Sequence, residues 1–432
     1  MKNKQVITQA MAFASQLFPA IVGVFSFMLL VRVTRTEILG QYIIYLAAVV
    51  LFEMIKSGGL QSALVMRVSN NDPEMQKCIT GSAYWLGGTV SLAISLILGI
   101  CFFSGLFSAQ PAIRVFCGWY ACLGILTLPL HLAEASAIAR QDLKFLLYLR
   151  LAQSANALIT ALYAWMYVGS LESFATVHLL FTLALVVLVL AFKKTNPLLV
   201  KFKTWKEVKT LIHLVKYTMA TLATTNMLKT ADTFLIGSFM GPESVARYAI
   251  PLKLTELFEI PIRSLSTTAF PQLAKKYNNR DFSSFKQNFI EYLSWAYLLY
   301  IPALVAAFIF APYIVVLFGG QQYAGTASIF RILILAGFFL PANRMTGISL
   351  DAIQQPGKNF KKVLVMAVIN ISGDWLAISF SHDLNMVAFV SVVNACCGAV
   401  LGWWMLTASG MLQEGNVFNN MYLYSNQLIR QR

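Results

Sequence analysis

The chain has 432 residues, 58% of them hydrophobic and 12% charged, with 33 basic against 18 acidic side chains and a formal net charge of +15. Soluble domains carry roughly a quarter charged residues, so this composition excludes an ordinary water-soluble fold. The basic balance fits loops facing an anionic membrane surface and gives no reason to expect nucleic acid.

A run of about 20 apolar residues crosses the hydrocarbon layer. In chain order such runs lie at 11–33, 40–65, 81–107, 113–139, 145–168, 173–192, 211–239, 244–270, 289–317, 325–350, 361–380 and 385–409. The first is too long for a signal-peptide core and is read as a retained helix behind the short polar leader Met1 to Gln9. Pro129 interrupts the fourth run, Pro251 and Pro261 the eighth, and Pro302 and Pro312 the ninth. Each removes a helix hydrogen bond, which serves a hinge or a static kink equally well.

The connections alternate in charge. One set holds Lys2, Lys4, Arg67, Lys77, Arg140, Lys144, the six lysines of 193–209, Lys275, Lys276, Arg280, Lys286, Lys358, Lys361, Lys362, Arg430 and Arg432. The other holds only Arg32, Arg35, Arg114 and Arg247. A ratio of 21 to 4 places the first set, and both termini, in the cytoplasm.

The connection 193–209 also carries Leu198, Leu199, Phe202, Trp205 and Val208. Two readings stand for it: a basic amphipathic segment lying on the cytoplasmic leaflet, or a specific ligand site. It divides the chain into a first six-helix bundle over 1–192, a basic linker over 193–210, a second six-helix bundle over 211–409 and a cytoplasmic tail over 410–432. An offset of 206 aligns Glu37 with Glu243, Tyr42 with Tyr248, Ile44 with Ile250 and Leu51-Phe52-Glu53 with Leu257-Phe258-Glu259. Six spans per half make such a repeat parallel. The expected fold is therefore an all-α integral membrane protein of 12 transmembrane helices in two related bundles.

The spans and their margins hold Glu53, Lys56, Glu134, Arg150, Lys216, Lys229, Asp232, Lys253, Glu256, Glu259, Arg263, Arg331, Arg344 and Asp374. Each costs about 2.5–3.5 kcal/mol at a helix centre on insertion scales, so they should face water or one another. In the eighth span Lys253, Glu256, Glu259 and Arg263 share one helix face, with pairing spacings of three and four. The ladder is either a neutralised packing device or the polar wall of a transport cavity. Lys229 and Asp232 are three apart, as are Glu53 and Lys56. The basic excess suits an anionic substrate, and arginine is favoured for phosphate. Arg32, Arg331 and Arg344 lie near span ends, where snorkelling anchors are also expected. Glu134 and His131, three apart, form a candidate proton-responsive pair. The six cysteines lack CxxC spacing and the four histidines lack ligand spacing with acids, so no metal site or cofactor is expected.

The stretch from Asp232 through Gly237 and Gly241 to Tyr248 resembles the pattern that opens the second half of Wzx-type polysaccharide flippases. Leu30-Val31-Arg32 to Leu39-Gly40-Gln41-Tyr42 resembles the matching first-half element. Phe270-Pro271 with Leu273, and Phe318-Gly319-Gly320 with Tyr323, Ala327 and Arg331, also fit. Arg32 and Asp232 match common family positions. The family belongs to the multidrug/oligosaccharidyl-lipid/polysaccharide exporter superfamily. The resemblance implies movement of an undecaprenyl-diphosphate-linked oligosaccharide, of O-antigen (lipopolysaccharide), capsule or a related surface polysaccharide, across a bacterial inner membrane by alternating access.

It also implies an H+ or Na+ gradient as drive, and polysaccharide polymerase and chain-length machinery as partners beside the membrane lipids. Under that reading Arg32, Lys56, Lys229, Lys253, Arg263 and Arg331 attract the diphosphate or acidic sugar. Glu53, Glu134, Asp232, Glu256 and Glu259 balance charge or bind the coupling ion. The alternatives are a multidrug or metabolite exporter of the same superfamily, which would want a less basic cavity, and a membrane polysaccharide polymerase. A polymerase would want catalytic residues on a large outer loop, and no loop here offers a nucleophile and base. No enzyme is expected.

Overall fold

The computed structural model describes the backbone of residues 2–68, 72–167 and 169–412, and side chains there except 2–14, 16, 217, 218, 220, 221 and 223. The expected tail lies, from residue 413 on, outside the described residues, as do the side chains of Lys2, Lys4, Arg430 and Arg432. Among the described residues the chain is all helical, without strands.

Two compact units form by packing: Met1–Gly237 with Gly241–Ala246, and Ser238–Met240 with Arg247–Arg432. This partition differs from the division at the basic connection, because the helix that follows the connection packs with what precedes it. The first unit contains α1 (Lys2–Val33), α2 (Thr36–Glu53), a π-turn (Met54–Gly58), α3 (Gly59–Val68), α4 (Pro73–Phe103), α5 (Pro111–Leu126), α6 (Leu128–Ala139), α7 (Leu143–Met166), α8 (Leu171–Ala191) and nearly all of α9 (Trp205–Phe239). The second contains most of α10 (Pro242–Asn278), then α11 (Phe282–Ile309), α12 (Ala311–Gly319), α13 (Ala327–Ala352), α14 (Pro356–Ser381) and α15 (Leu384–Thr407).

Each apolar run expected from sequence is helical. Among the described residues eight helices are long and apolar enough to cross a membrane, and the pair α5–α6, bent by 45°, makes up to nine. The bend has a local cause. Pro129 brings no N–H to the second position of α6, and Thr127 closes α5 by donating its backbone N–H to the Leu123 carbonyl at 2.9 Å. Pro312 acts likewise, standing at the start of α12 where α11 ends, an interruption of the ninth run of the kind expected at this proline. α10, by contrast, stays helical through Pro251, Pro261 and Pro271.

The first unit is held by Leu60, Leu64, Ile79, Ala83, Leu132 and Leu211, which join α3, α4, α6 and α9. A second cluster, Leu130, Leu149, Leu185 and Val189, joins α6, α7 and α8. In the second unit Leu273, Phe285, Phe289, Leu293, Met345 and Leu406 join α10, α11, α13 and α15. Burying one such side chain contributes about 1.5–3 kcal/mol relative to leaving it in water.

The basic connection is built, not loose. Its short 3-10 turn, Pro197–Phe202, lies against α4 at Gly81, where a Cβ would overlap the Leu199 carbonyl oxygen. Ser82 Oγ accepts from Thr204 N at 3.2 Å, and the Tyr84 and Thr195 hydroxyls are hydrogen-bonded. Glu207 accepts from Arg67 at 2.8 and 2.9 Å, and the Lys203 ammonium sits 4.5 Å from the Trp85 ring and 5.2 Å from that of Trp205. Gly81→Val should lift the turn off α4 and lower stability by about 1–3 kcal/mol, read as a fall in the thermal unfolding midpoint of the purified protein.

Helix starts are capped by carboxylates. Asp281 accepts from Ser284 N at 3.1 Å to open α11, and Asp142 from Phe145 N at 3.2 Å to open α7. The Ser284 hydroxyl and N–H, with Lys276 beside them, hold the Asp281 carboxyl down at about 2. A depressed carboxylate stabilises fully above its unfolded value of about 3.9 and loses that contribution as pH falls through its folded value. Asp281→Ala should therefore lower the unfolding midpoint at neutral pH, with the gap to wild type closing between about pH 4 and about pH 2.

Candidate functional site

The densest polar constellation of the first unit forms where α2 passes into α3. Here the helix widens into one π-turn, Met54–Gly58, a feature that recurs at functional sites because it re-aims a side chain. Ser57 Oγ donates to the Glu53 carbonyl at 2.6 Å, covering an acceptor the wider turn loosens. The turn points Lys56 inward until its side chain is fully buried. The ammonium donates to Glu53 Oε1 at 2.8 Å, to the Gly124 carbonyl at 2.8 Å and to Thr127 Oγ1. All three N–H groups are thereby used.

Glu53 is the hub. Its Oε1 accepts from Lys56, from Tyr120 Oη at 2.9 Å and from Thr127 Oγ1 at 2.7 Å, while Oε2 lies 2.6 Å from His131 Nε2. The α5–α6 bend makes this convergence possible. It brings Tyr120 from one side of the break and Thr127 and His131 from the other onto one carboxylate. The expected pairing of His131 with Glu134 is not made. Glu134 turns instead to Arg150 of α7 at 2.9 Å, and the imidazole goes to Glu53. Three-residue spacing allows two side chains to meet but does not oblige them to when each finds a better partner on another helix.

Deeper in the same unit Tyr45 Oη and His178 Nδ1 are 3.2 Å apart, and Trp119 Nε1 donates to Thr176 at 3.1 Å. On α9 Asp232 is buried and Lys229 exposed, and Arg32 is exposed at the end of α1.

In the second unit the α10 ladder forms as its spacing allows. Lys253 donates to Glu256 at 2.7 Å and Arg263 pairs with Glu259, and all four side chains remain partly open. Arg331 donates to the Phe308 carbonyl at 3.3 Å and rests 5.6 Å from the Phe308 ring, which occupies it as an anchor. Arg344 is exposed.

Two buried polar groups of this unit were not singled out from sequence as a site. Lys362, counted among loop bases, is 2% exposed and donates to the Asn343 carbonyl at 2.9 Å and to Oδ1 at 2.8 Å. Gly402 lies beside its stem and Gly347 beside its ammonium, which leaves room for the side chain between helices. Asp374, fully buried, accepts from Asn370 Nδ2 at 2.8 Å, and Asn370 Oδ1 accepts from Asn394 at 2.9 Å. No group of three or more metal-ligating side chains occurs among the described residues.

Buried ion pairs inside long apolar helices mark a polytopic membrane protein that keeps charge within its bundles at considerable cost. The fold agrees. It superposes on an inward-facing multidrug resistance MATE family transporter of the MOP superfamily with a TM-score of 0.73 and 13% identity, covering 93% of this chain and 98% of that one. It superposes on the lipid II flippase MurJ, in an inward closed conformation, with a TM-score of 0.71 and 15% identity, covering 97% and 91%.

Residues 29–328 match the sequence profile of the family described as polysaccharide biosynthesis protein, and the chain belongs to that family. A protein named as an O-antigen transporter of Shigella flexneri is 27% identical over 128 residues, 30% of this chain and 29% of that protein. One named as a low-salt glycan biosynthesis flippase of Haloferax volcanii is 22% identical over 318 residues, 68% of this chain and 66% of that protein. The chain thus aligns with under two thirds of the length of each.

Proposed function

We propose that this protein is a flippase for lipid-linked oligosaccharide repeat units, carrying an undecaprenyl-diphosphate-linked glycan across the bacterial inner membrane by alternating access. Twelve crossings in two six-helix bundles, with both termini in the cytoplasm, is the topology this reading uses. The polar head passes through a hydrated, basic interior while the polyprenyl tail stays in lipid.

The observation that carries the reading is α10. Bases paired with acids, yet still partly open, occupy the middle of a helix in a family of polysaccharide biosynthesis. Such pairs can exchange an internal carboxylate for a phosphate oxygen without leaving a bare charge in a low-dielectric site. Lys253 and Arg263 are the first candidates to do so. Lys56 is not, since its three N–H groups are engaged, so its role is to hold Glu53 in place. The cycle is driven by an ion gradient. Moving one charge through 100 mV supplies about 2.3 kcal/mol, which biases a cycle of this kind. Polymerase and chain-length machinery would take the delivered repeat unit.

The similarity of fold to a multidrug resistance MATE family transporter favours export of drugs or metabolites as the second reading; the basic excess of the embedded charges weighs against it. A deletion strain decides between them. Complete diphosphate-linked repeat units accumulating on the cytoplasmic side, with surface glycan lost, is the expected result. Repeat units delivered outward but unpolymerised, or normal surface glycan with altered drug tolerance, would overturn it.

A further inference from the structure

We propose that Glu53 and His131 form a proton-binding site in the first unit, loaded at His131 Nδ1 while the Nε2–H stays on Glu53. Its use as the coupling step rests on the flippase reading; proton binding itself does not.

The tautomer follows from the hydrogen bonds around the carboxylate. Lys56, Tyr120 and Thr127 all converge on Oε1 of Glu53, and three donors on one oxygen, one of them an ammonium, favour the ionised carboxylate over the neutral acid. Oε2 is then an acceptor, and the His131 nitrogen 2.6 Å away must carry the hydrogen. In the neutral ring this leaves a lone pair on Nδ1. The His131 side chain is 23% exposed, against 14% for Glu53 and none for Lys56, so the imidazole is the most open of these three ionisable side chains.

The step balances simply. A proton from water bonds to the Nδ1 lone pair, the ring becomes imidazolium, and no existing hydrogen bond breaks. Release returns that proton to water. Placing it on Glu53 instead would disrupt the acceptor that four donors share.

The surrounding charges leave this ring as the group free to change. Glu53 and Lys56 cancel each other on α2 and the π-turn, and Glu134 of α6 is cancelled by Arg150 of α7. α5 contributes Tyr120, and α8 contributes His178, which pairs with Tyr45 of α2. From α4 Ser95 faces Gly124, α9 lays Val215, Met219 and Leu222 against Gly58 and Gly59, and Arg67 of α3 is paired with Glu207. The cluster is therefore neutral when empty and carries one positive charge when loaded. A conformation that shuts water away from the ring favours the empty form, and one that wets it favours the loaded form. That is the differential affinity by which a proton gradient can drive a conformational cycle.

The experiment is a nitrogen-15 NMR titration of the full-length protein, histidine-labelled and held in phosphatidylethanolamine/phosphatidylglycerol nanodiscs, from about pH 8.5 to about pH 5. His131→Asn and His131→Gln assign the resonance, with His178, His213 and His382 as reporters of an intact fold. The expected result is a single neutral tautomer with hydrogen on Nε2 at high pH and a proton gained at Nδ1 at low pH. Glu53→Gln should release the tautomer, giving a mixture at high pH. A ring that gains no proton over this range, or one tautomer persisting in Glu53→Gln, overturns the site.

Coupling is read separately, as the rate of surface glycan appearance with and without nigericin. Wild type should slow when the pH gradient collapses. A His131→Asn protein whose residual export slows by the same factor would overturn the coupling role. Repeat units that fail to accumulate in the deletion strain would sink the flippase reading and leave the NMR result standing.

Discussion

Lys56→Met is expected to destabilise the first unit by roughly 3–5 kcal/mol, the usual consequence of removing one partner from a buried ion pair. The substitution keeps the volume of the side chain but strips the Gly124 carbonyl and Glu53 Oε1 of a donor. The buried carboxylate then lacks its cation and keeps only Tyr120, Thr127 and His131 as partners. Glu53→Gln in the same protein should recover most of the loss, since removing both charges of a buried pair is often close to neutral. Thermal unfolding of the three proteins in detergent checks this. Surface glycan should be lost in the single variant and should stay lost in the double variant, because the carboxylate that fixes His131 is gone. Recovery of both stability and glycan would reduce the cluster to a packing device. Failure of the double variant to regain stability would mean the hydroxyl partners Tyr120 and Thr127 need the carboxylate itself.

What could be read ahead of the structure follows the range of the interaction. Helix positions depend on runs of twenty residues, and every expected run is helical. Pro129 and Pro312 break their helices as a missing N–H demands, although the chain does not say that Pro251 and Pro261 are absorbed without a break. The α10 pairs were visible because both partners sit within four residues on one helix face, as was Glu53 with Lys56.

The rest of the Glu53 cluster was not legible. Tyr120, Thr127 and His131 lie 67, 74 and 78 positions away. They reach the carboxylate only because α5 and α6 bend at Thr127. The one hint was a hydroxyl and an imidazole flanking a proline within an apolar run. Local spacing then favoured the wrong acid for His131, since Arg150 on α7 had already claimed Glu134. Lys362 was misplaced for a related reason. Near Lys358 and Lys361 it reads as a loop base, yet it lies nearly two turns inside α14, where Asn343 accepts from it and two glycines make room for it.

The α10 ladder admits a test that separates binding from packing. Exchanging the pair, as Lys253→Glu with Glu256→Lys, retains the i to i+3 ion pair and places the acid nearer the helix N-terminus, the more favourable order. Stability should therefore move by no more than about 0.5 kcal/mol. The net charge of the face is unchanged, and only the position of the ammonium shifts, by one helical turn or about 5 Å. A pair that merely neutralises itself tolerates this shift. A lysine that must meet a phosphate oxygen does not, since losing a charge-assisted hydrogen bond of about 1.5–3 kcal/mol lowers the rate roughly ten- to a hundredfold. We expect the exchanged protein to insert and unfold like wild type, while delivery of surface glycan in the deletion strain falls at least tenfold. Lys253→Ala, which removes the ammonium altogether, should abolish delivery. Normal delivery by the exchanged protein would assign the ladder to helix packing and move the search for the phosphate-binding base to Arg263, whose pairing with Glu259 the exchange leaves untouched.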